Sequence, residues 1–172
     1  MSDPISEAFE RFIGELYWTE TLEEAEEKLE DFMRNMDEDL REALLARRRE
    51  VCSNRELVAR TGLALHTLAI DRRALRSLPG DLGVRAAVVA AIVNALFLVQ
   101  CTPSWSSLDP RVKAGILAPL YRASYALRLA ARGKGDARRL VDEALEMVSI
   151  ALDRISAEGL IDEMEDLAPA TG

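Results

Sequence analysis

The longest apolar run in the chain, AAVVAAIVNALFLVQ at residues 86–100, places the strongest constraint on the fold. Over residues 82–100, apolar side chains occur all round a helical wheel, which is typical of a helix surrounded by other helices. The run is about fifteen residues long and contains Asn94, whereas a membrane-spanning helix needs roughly 20 apolar residues. We therefore expect a buried core helix and no membrane association.

Apolar residues elsewhere in the chain recur at spacings of three and four, which predicts amphipathic helices. Thr21 and Glu24 form a capping box at the start of one such helix, and Asp109 and Asp136 are suited to begin two others. The sequence predicts an all-α, single-domain multi-helix bundle of seven to nine helices around one fully apolar central helix. This domain covers residues 1–167, and a disordered tail follows at 168–172.

Three single residues carry further predictions about the assembly of this bundle. Pro119 lies inside a helical span and should kink the helix or split it near residue 118, because proline removes a backbone hydrogen bond. Asn94 should bond to a neighbouring helix and fix its register. Trp105, in the loop PSWSS, is suited to anchor a partner if it is exposed, with a place over the core as the alternative.

The two cysteines and the N-terminus bear on the cellular location. Cys52 and Cys101 are too few for a disulfide framework, and we expect each to end a helix. With a single histidine they cannot form an ordinary zinc site, so we expect no cofactor. The N-terminal sequence MSDPISEAFERF has neither the basic region nor the apolar region of a secretion signal. The expected location is the cytoplasm.

The net charge of −8 is distributed unevenly along the chain. Residues 1–45 carry −11, residues 46–140 carry +11, and residues 141–172 carry −8. Two interpretations remain open. The acidic ends could fold back onto the basic middle, or the basic middle could present its charge to an anionic partner.

The basic segment SNRELVARTGLALHTLAIDRRALRSLPG, residues 53–80, resembles the helix-turn-helix of transcription regulators over some twenty residues. That resemblance implies binding to nucleic acid. Two features depart from the pattern, since Asp71 occupies a core position and the base-contacting positions are largely apolar. As an alternative, most of the circumference over residues 63–78 is apolar, which indicates that this helix mainly packs.

Arg60 and His66 within the same segment have the spacing Arg-x5-His, which resembles the signature of the all-α HEPN ribonucleases. The resemblance implies that the pair would act on the phosphate and ribose hydroxyl of RNA. It covers seven residues, and Thr61-Gly62 interrupts the helix on which the family places both residues.

Four acidic residues near the C-terminus suggest a metal site. Glu143, Glu146, Glu163 and Asp166 resemble the metal-binding pattern of all-α nucleotide pyrophosphohydrolases. In that family such carboxylates hold Mg²⁺, which prefers oxygen ligands. The alternative is a solvated acidic face, because nine acidic residues crowd the last 32 positions.

No coherent catalytic set emerges from these motifs, whereas wide apolar helices and segregated charge favour macromolecular binding. We expect a non-enzymatic helical subunit or adaptor that contacts a protein partner or another copy of itself, possibly within a larger assembly. Nucleic-acid binding through residues 53–80 is the alternative, and the ribonuclease is a further one. The residues expected at the interaction surface are Leu65, Arg72, Arg73, Arg76 and Trp105.

Overall fold

The computed structural model describes residues 4–53 and 72–167, which form eight α-helices and two short 3₁₀ helices. No strand occurs in these two ranges, so the predicted all-α multi-helix bundle is confirmed. The 3₁₀ helices are Phe97–Cys101 and Trp105–Ser107. The α-helices are α1 (Pro4–Tyr17), α2 (Leu22–Arg34), α3 (Glu38–Ser53), α4 (Arg72–Arg76), α5 (Asp81–Leu96), α6 (Pro110–Ala131), α7 (Ala137–Ala157) and α8 (Ile161–Leu167).

Three helices begin at the capping residues that the sequence predicts. The Thr21 hydroxyl accepts a hydrogen bond from the Glu24 amide at 3.1 Å, at the start of α2. The Asp109 carboxylate accepts from the Arg111 amide at 2.8 Å, and the Asp136 carboxylate accepts from the Arg138 amide at 3.1 Å. Each bond satisfies a backbone N–H that has no partner within the helix, which is why these boundaries are local properties of the sequence.

The helix at the centre of the bundle is α6, and not the fully apolar α5 that the sequence predicts there. α6 packs against α1, α2, α4, α5 and α7, and twelve of its residues are buried. α5 buries one face and leaves the other open, with Val84 68% and Val88 53% exposed. An all-apolar helix contains no polar face to mark the solvent side, so its composition did not reveal this exposure.

α6 is continuous through Pro119, so the predicted split near residue 118 is wrong. Proline has no N–H to donate to the carbonyl four residues earlier, which here belongs to Gly115. The guanidinium of Arg154 on α7 donates to that carbonyl at 2.6 Å and also pairs with Glu26 on α2. A side chain from another helix therefore replaces the missing backbone bond, and α6 needs no break.

Ion pairs join the acidic ends of the chain to its basic middle. Arg128 on α6 pairs with Glu10 on α1, and Arg85 on α5 lies 3.0 Å from Asp142 on α7. On α6, Arg122 donates to the Thr19 hydroxyl at 2.7 Å. These contacts support the interpretation that the ends fold back onto the middle.

The segment Asp81–Cys101, which comprises α5 and the first 3₁₀ helix, is 21 residues long and contains an 18-residue window with a mean hydropathy of 2.2. Length and composition alone would allow it to cross a membrane. Within the fold, 56% of that window is buried, and core helices of soluble proteins pass the same test.

Candidate functional site

Four of the five predicted interaction residues lie in the part of the chain that the structure describes. Leu65 lies outside the described residues, as do Arg60 and His66 of the ribonuclease-like pair. Arg73 and Arg76 are exposed on the short helix α4, whereas Arg72 at its start is half-buried. α4 packs against α5, so these arginines lie beside the most apolar helix of the chain.

Trp105 is not an exposed anchor, because only 4% of it is accessible. It belongs to the core, and the Lys113 ammonium lies 6.0 Å from the centre of its ring. The alternative place over the core is therefore the correct one. The exposed tryptophan is Trp18, just beyond α1, with 69% of its surface accessible.

Two of the four predicted metal ligands contact different parts of the fold. The Glu143 carboxylate accepts a hydrogen bond from the Tyr17 hydroxyl at 3.1 Å, and Glu163 accepts from the Ser104 amide at 2.9 Å. Burial, followed by the charge of Glu143, raises the pKa of Tyr17 to about 12. In residues 4–53 and 72–167, which include all four acids, no group of three or more histidine, cysteine or acidic side chains could hold a metal ion.

Cys52 and Cys101 form a disulfide that the sequence analysis missed, with their Cα atoms 5.5 Å apart. Each cysteine lies near the end of a helix, as expected, but the two ends meet in space. The bond joins α3 to the 3₁₀ helix that follows α5. Disulfides of this kind are typical of oxidising compartments. Two cysteines 49 positions apart gave no pattern from which the pairing could be read.

Val84, Val88 and Ile92 form an exposed apolar line along α5, which we call the α5 stripe. Their exposed fractions are 68%, 53% and 37%. A spacing of four places them on one face of the helix. Ala91 and Ala95, which are also exposed, lie beside them. The stripe is the largest set of exposed bulky apolar residues that shares one helix in the described part of the chain.

The α5 stripe itself carries no charge, whereas the basic helix α4 lies beside α5. No charged residue occurs between Arg85 and Asp109 in the sequence. Arg85 at the edge of the stripe is paired with Asp142 of α7. The side chains of the stripe can therefore lose their water without the desolvation of any charge that belongs to the stripe itself.

A close backbone contact fixes α4 against the start of α5. A Cβ atom built on Gly83 would lie 2.6 Å from the Arg76 carbonyl oxygen and 2.7 Å from that of Leu78. Real Cβ atoms do not approach backbone oxygens so closely, so this position requires glycine. The contact holds the exposed Arg73 and Arg76 next to α5.

Asn94 does not form the predicted bond to a neighbouring helix. It is 2% exposed, and within the described ranges neither polar atom of its side chain has a hydrogen-bond partner. A buried, unpaired amide costs roughly 1–3 kcal/mol of stability. The predicted contact that would fix the register is therefore absent from the described ranges. Burial of the unpaired Asn94 amide instead lowers the stability of the fold.

No protein-family model, curated protein or solved structure is significantly similar to this chain. The candidate site therefore depends on the geometry of the chain itself. Its main elements are the neutral α5 stripe and the basic helix α4 beside it.

Proposed function

We propose that the chain is a non-enzymatic helical subunit that works through protein–protein contact, with the α5 stripe as its docking face. The exposure of Val84, Val88 and Ile92 carries the proposal, because soluble proteins rarely leave a line of large apolar side chains in water without a use. The sequence also indicates surplus apolar surface and a binding function. The exposed apolar surface lies on α5, however, and not at Trp105.

The partner in this proposal is a second copy of the chain. With a net charge of −8, two copies repel each other over most approaches. The neutral α5 stripe avoids this repulsion. Ala91 and Ala95 are small enough to let a second helix approach closely. In a twofold-symmetric dimer the same patch of each copy forms the contact, so no second complementary surface is required. The stripe is short, so we expect a reversible dimer with a Kd on the order of micromolar.

Sedimentation velocity at a series of protein concentrations tests this proposal. We expect the wild-type chain to shift from monomer to dimer with rising concentration, and Val88→Asp to remain monomeric, because the new charge would be desolvated in the contact. Trp18→Asp is the matched control, since Trp18 is as exposed as Val84 but lies at the end of α1. It should dimerise like the wild type.

Two outcomes would contradict the proposal. A wild-type chain that stays monomeric at all concentrations leaves no role for self-association. Loss of the dimer in Trp18→Asp but not in Val88→Asp would move the interface to α1. If a different protein occupied the stripe, Val88→Asp would abolish that binding while the chain alone remained monomeric.

Nucleic-acid association through the basic middle is the second candidate. Arg73 and Arg76 are exposed on α4, and no carboxylate of the described residues pairs with either. Gel shifts with DNA and RNA at several salt concentrations test it, because phosphate contacts predict a steep loss of affinity with salt. Arg73→Met with Arg76→Met should weaken binding. Absence of binding at low salt would remove this candidate.

The cytoplasmic location stays a prediction, and the Cys52–Cys101 pair offers a way to test it. In a reducing compartment the glutathione pool keeps most thiols free, whereas an oxidising compartment preserves the bond. Alkylation of thiols in intact cells distinguishes the two. Modification of both cysteines would support the cytoplasm, and protection of both would contradict it.

A further inference from the structure

A groove on the side of the bundle formed by α1, α2, α3 and α6 encloses about 280 Å³. Its walls are mainly apolar and include Phe9, Phe32, Leu44 and Leu117. An apolar cavity of roughly 150 Å³ accommodates a benzene molecule. By that measure this groove, which we call the basic groove, accommodates an apolar body of roughly ten carbon atoms.

Every charged side chain among the described residues that line the basic groove is a cation. Arg41 and Arg48 come from α3, and Lys113 comes from α6. The Arg48 Nε donates to the Gln100 carbonyl at 2.7 Å, which leaves the rest of its guanidinium available. Arg48 and Lys113 are half-buried, and no carboxylate of the described residues pairs with either.

The electrostatics of this pair favour the binding of an anion. Burial lowers the pKa of Arg48. Burial, followed by the nearby charge of Arg48, lowers the pKa of Lys113. Two half-buried cations that repel each other gain stability when a negative charge lies between them.

A buried polar atom on the groove wall also lacks a partner. Gln100 lines the groove and is 1% exposed. Its Nε2 donates to the Phe97 carbonyl at 3.3 Å, whereas its Oε1 has no hydrogen-bond partner within the described ranges. Unlike the unpartnered amide of Asn94, this acceptor belongs to a residue that lines the groove, so a donor on a bound molecule that reaches it would satisfy it.

We propose that the basic groove binds a small amphipathic carboxylate, with the carboxylate on Lys113 and Arg48, the apolar body on the aromatic and aliphatic walls, and a hydroxyl beside the carboxylate donating to Gln100. The guanidinium and ammonium supply charge-assisted hydrogen bonds, which are about twice as strong as neutral ones. Medium-chain hydroxy acids have this chemistry. The proposal is independent of self-association through the α5 stripe.

Ligand binding can be measured through Trp105, which lines the groove. The chain has two tryptophans, so Trp18→Phe leaves Trp105 as the sole indole fluorophore. In that background we would titrate 3-hydroxydecanoate, decanoate and 1-decanol, and confirm the affinities by calorimetry. The hydroxy acid should bind most tightly, decanoate next, and the uncharged alcohol at least tenfold more weakly than decanoate.

Lys113→Met tests the role of the ammonium, because methionine keeps most of the side-chain length and removes the charge. We expect at least a tenfold loss of decanoate affinity and little change for 1-decanol. Lys134→Met is the matched control, since Lys134 is exposed in the turn after α6 and does not line the groove. Its affinities should stay within twofold of the parent.

The comparison of ligands on the parent protein needs no variant, so it decides the proposal even if Lys113→Met does not fold. Equal affinity for decanoate and 1-decanol, or no binding of any probe at millimolar concentration, would overturn it. Equal affinity for the hydroxy acid and decanoate would contradict the proposed hydrogen bond from the ligand hydroxyl to Gln100. Unchanged decanoate binding in Lys113→Met would show that the ammonium does not hold the carboxylate.

Discussion

The helices α5 and α6 use apolar surface in opposite ways. α5 is the more apolar helix, yet seven of its sixteen residues are exposed, including Val84 and Val88. α6 carries four cationic residues, Arg111, Lys113, Arg122 and Arg128, but among its 22 residues only Arg111 is exposed. The helix with more charge is thus the better buried one.

The two helices are held in the bundle by different contacts. The cations of α6 reach outward from a buried axis and bond to its neighbours, as Arg122 does with Thr19 and Arg128 with Glu10. α5 has no charged side chain after Arg85 with which to bond across an interface. It is held by one packed face, by the close contact at Gly83 and by the disulfide at Cys101 just beyond its end, and its other face is exposed.

Truncation of a side chain should lower the free energy of unfolding much more on the buried α6 than on the exposed face of α5. Leu120→Ala on α6, where the side chain is fully buried, should lower the free energy of unfolding by about 3–5 kcal/mol. Val88→Ala on the α5 stripe should change it by less than about 0.5 kcal/mol in the monomer, because little buried surface is lost. Urea unfolding at low protein concentration measures both. Similar losses would mean that the stripe is covered within the chain.

Removal of the Cys52–Cys101 disulfide should show how much the covalent bond near the end of α5 contributes to stability. Its loop spans 49 positions, so Cys52→Ser with Cys101→Ser should cost about 2–4 kcal/mol of stability. The same change should weaken decanoate binding, because α3 carries Arg48 on one wall of the basic groove. Unfolding with and without a phosphine reductant checks the wild type. An unfolding midpoint that does not respond to reductant would contradict the bond.

Two glycines give effects of opposite sign on the two helices. Gly83→Ala should destabilise α5 by about 1–3 kcal/mol, because the new methyl group meets two backbone oxygens. Gly115→Ala on α6 should stabilise the chain by about 0.4–1 kcal/mol, since its Cβ would make only ordinary contacts and alanine favours the helix. Thermal unfolding of the two single variants measures both changes in stability. Stabilisation by both alanines would mean that α4 does not touch α5.

Removal of unpaired polar groups should have the smallest effects. Asn94→Leu on α5 should raise the free energy of unfolding by about 1 kcal/mol, because the buried amide has no partner in the described ranges. Ser124→Ala on α6 removes another unpaired buried group and should be neutral or slightly stabilising. A clear loss of stability in Asn94→Leu, measured by urea unfolding, would indicate that the amide is hydrogen-bonded after all.

Local features of the fold could be predicted from the sequence, whereas features that depend on distant residues could not. The starts of α2, α6 and α7 follow from Thr21, Asp109 and Asp136, which cap the adjacent backbone. The continuity of α6 through Pro119 depends on Arg154, and this long-range contact leaves no local pattern.

The same division applies to the candidate sites. The surplus of apolar surface could be predicted from composition, but its location on α5 rather than at Trp105 depends on which faces the other helices cover. The basic groove brings together Arg48, Gln100 and Lys113 from three separate segments. None of these residues stands out in its local sequence, so the groove becomes visible only in the folded chain.

Cross-linking at the centre of the α5 stripe is a direct test of self-association through this face. In a twofold contact through the stripe, Val88 of each copy lies near the symmetry axis and close to its counterpart. Val88→Cys should therefore form a covalent dimer on mild oxidation, and Trp18→Cys, which is at least as open to solvent but lies just beyond α1, should not. A Val88→Cys chain that stays monomeric, or a Trp18→Cys chain that cross-links as efficiently, would contradict the account.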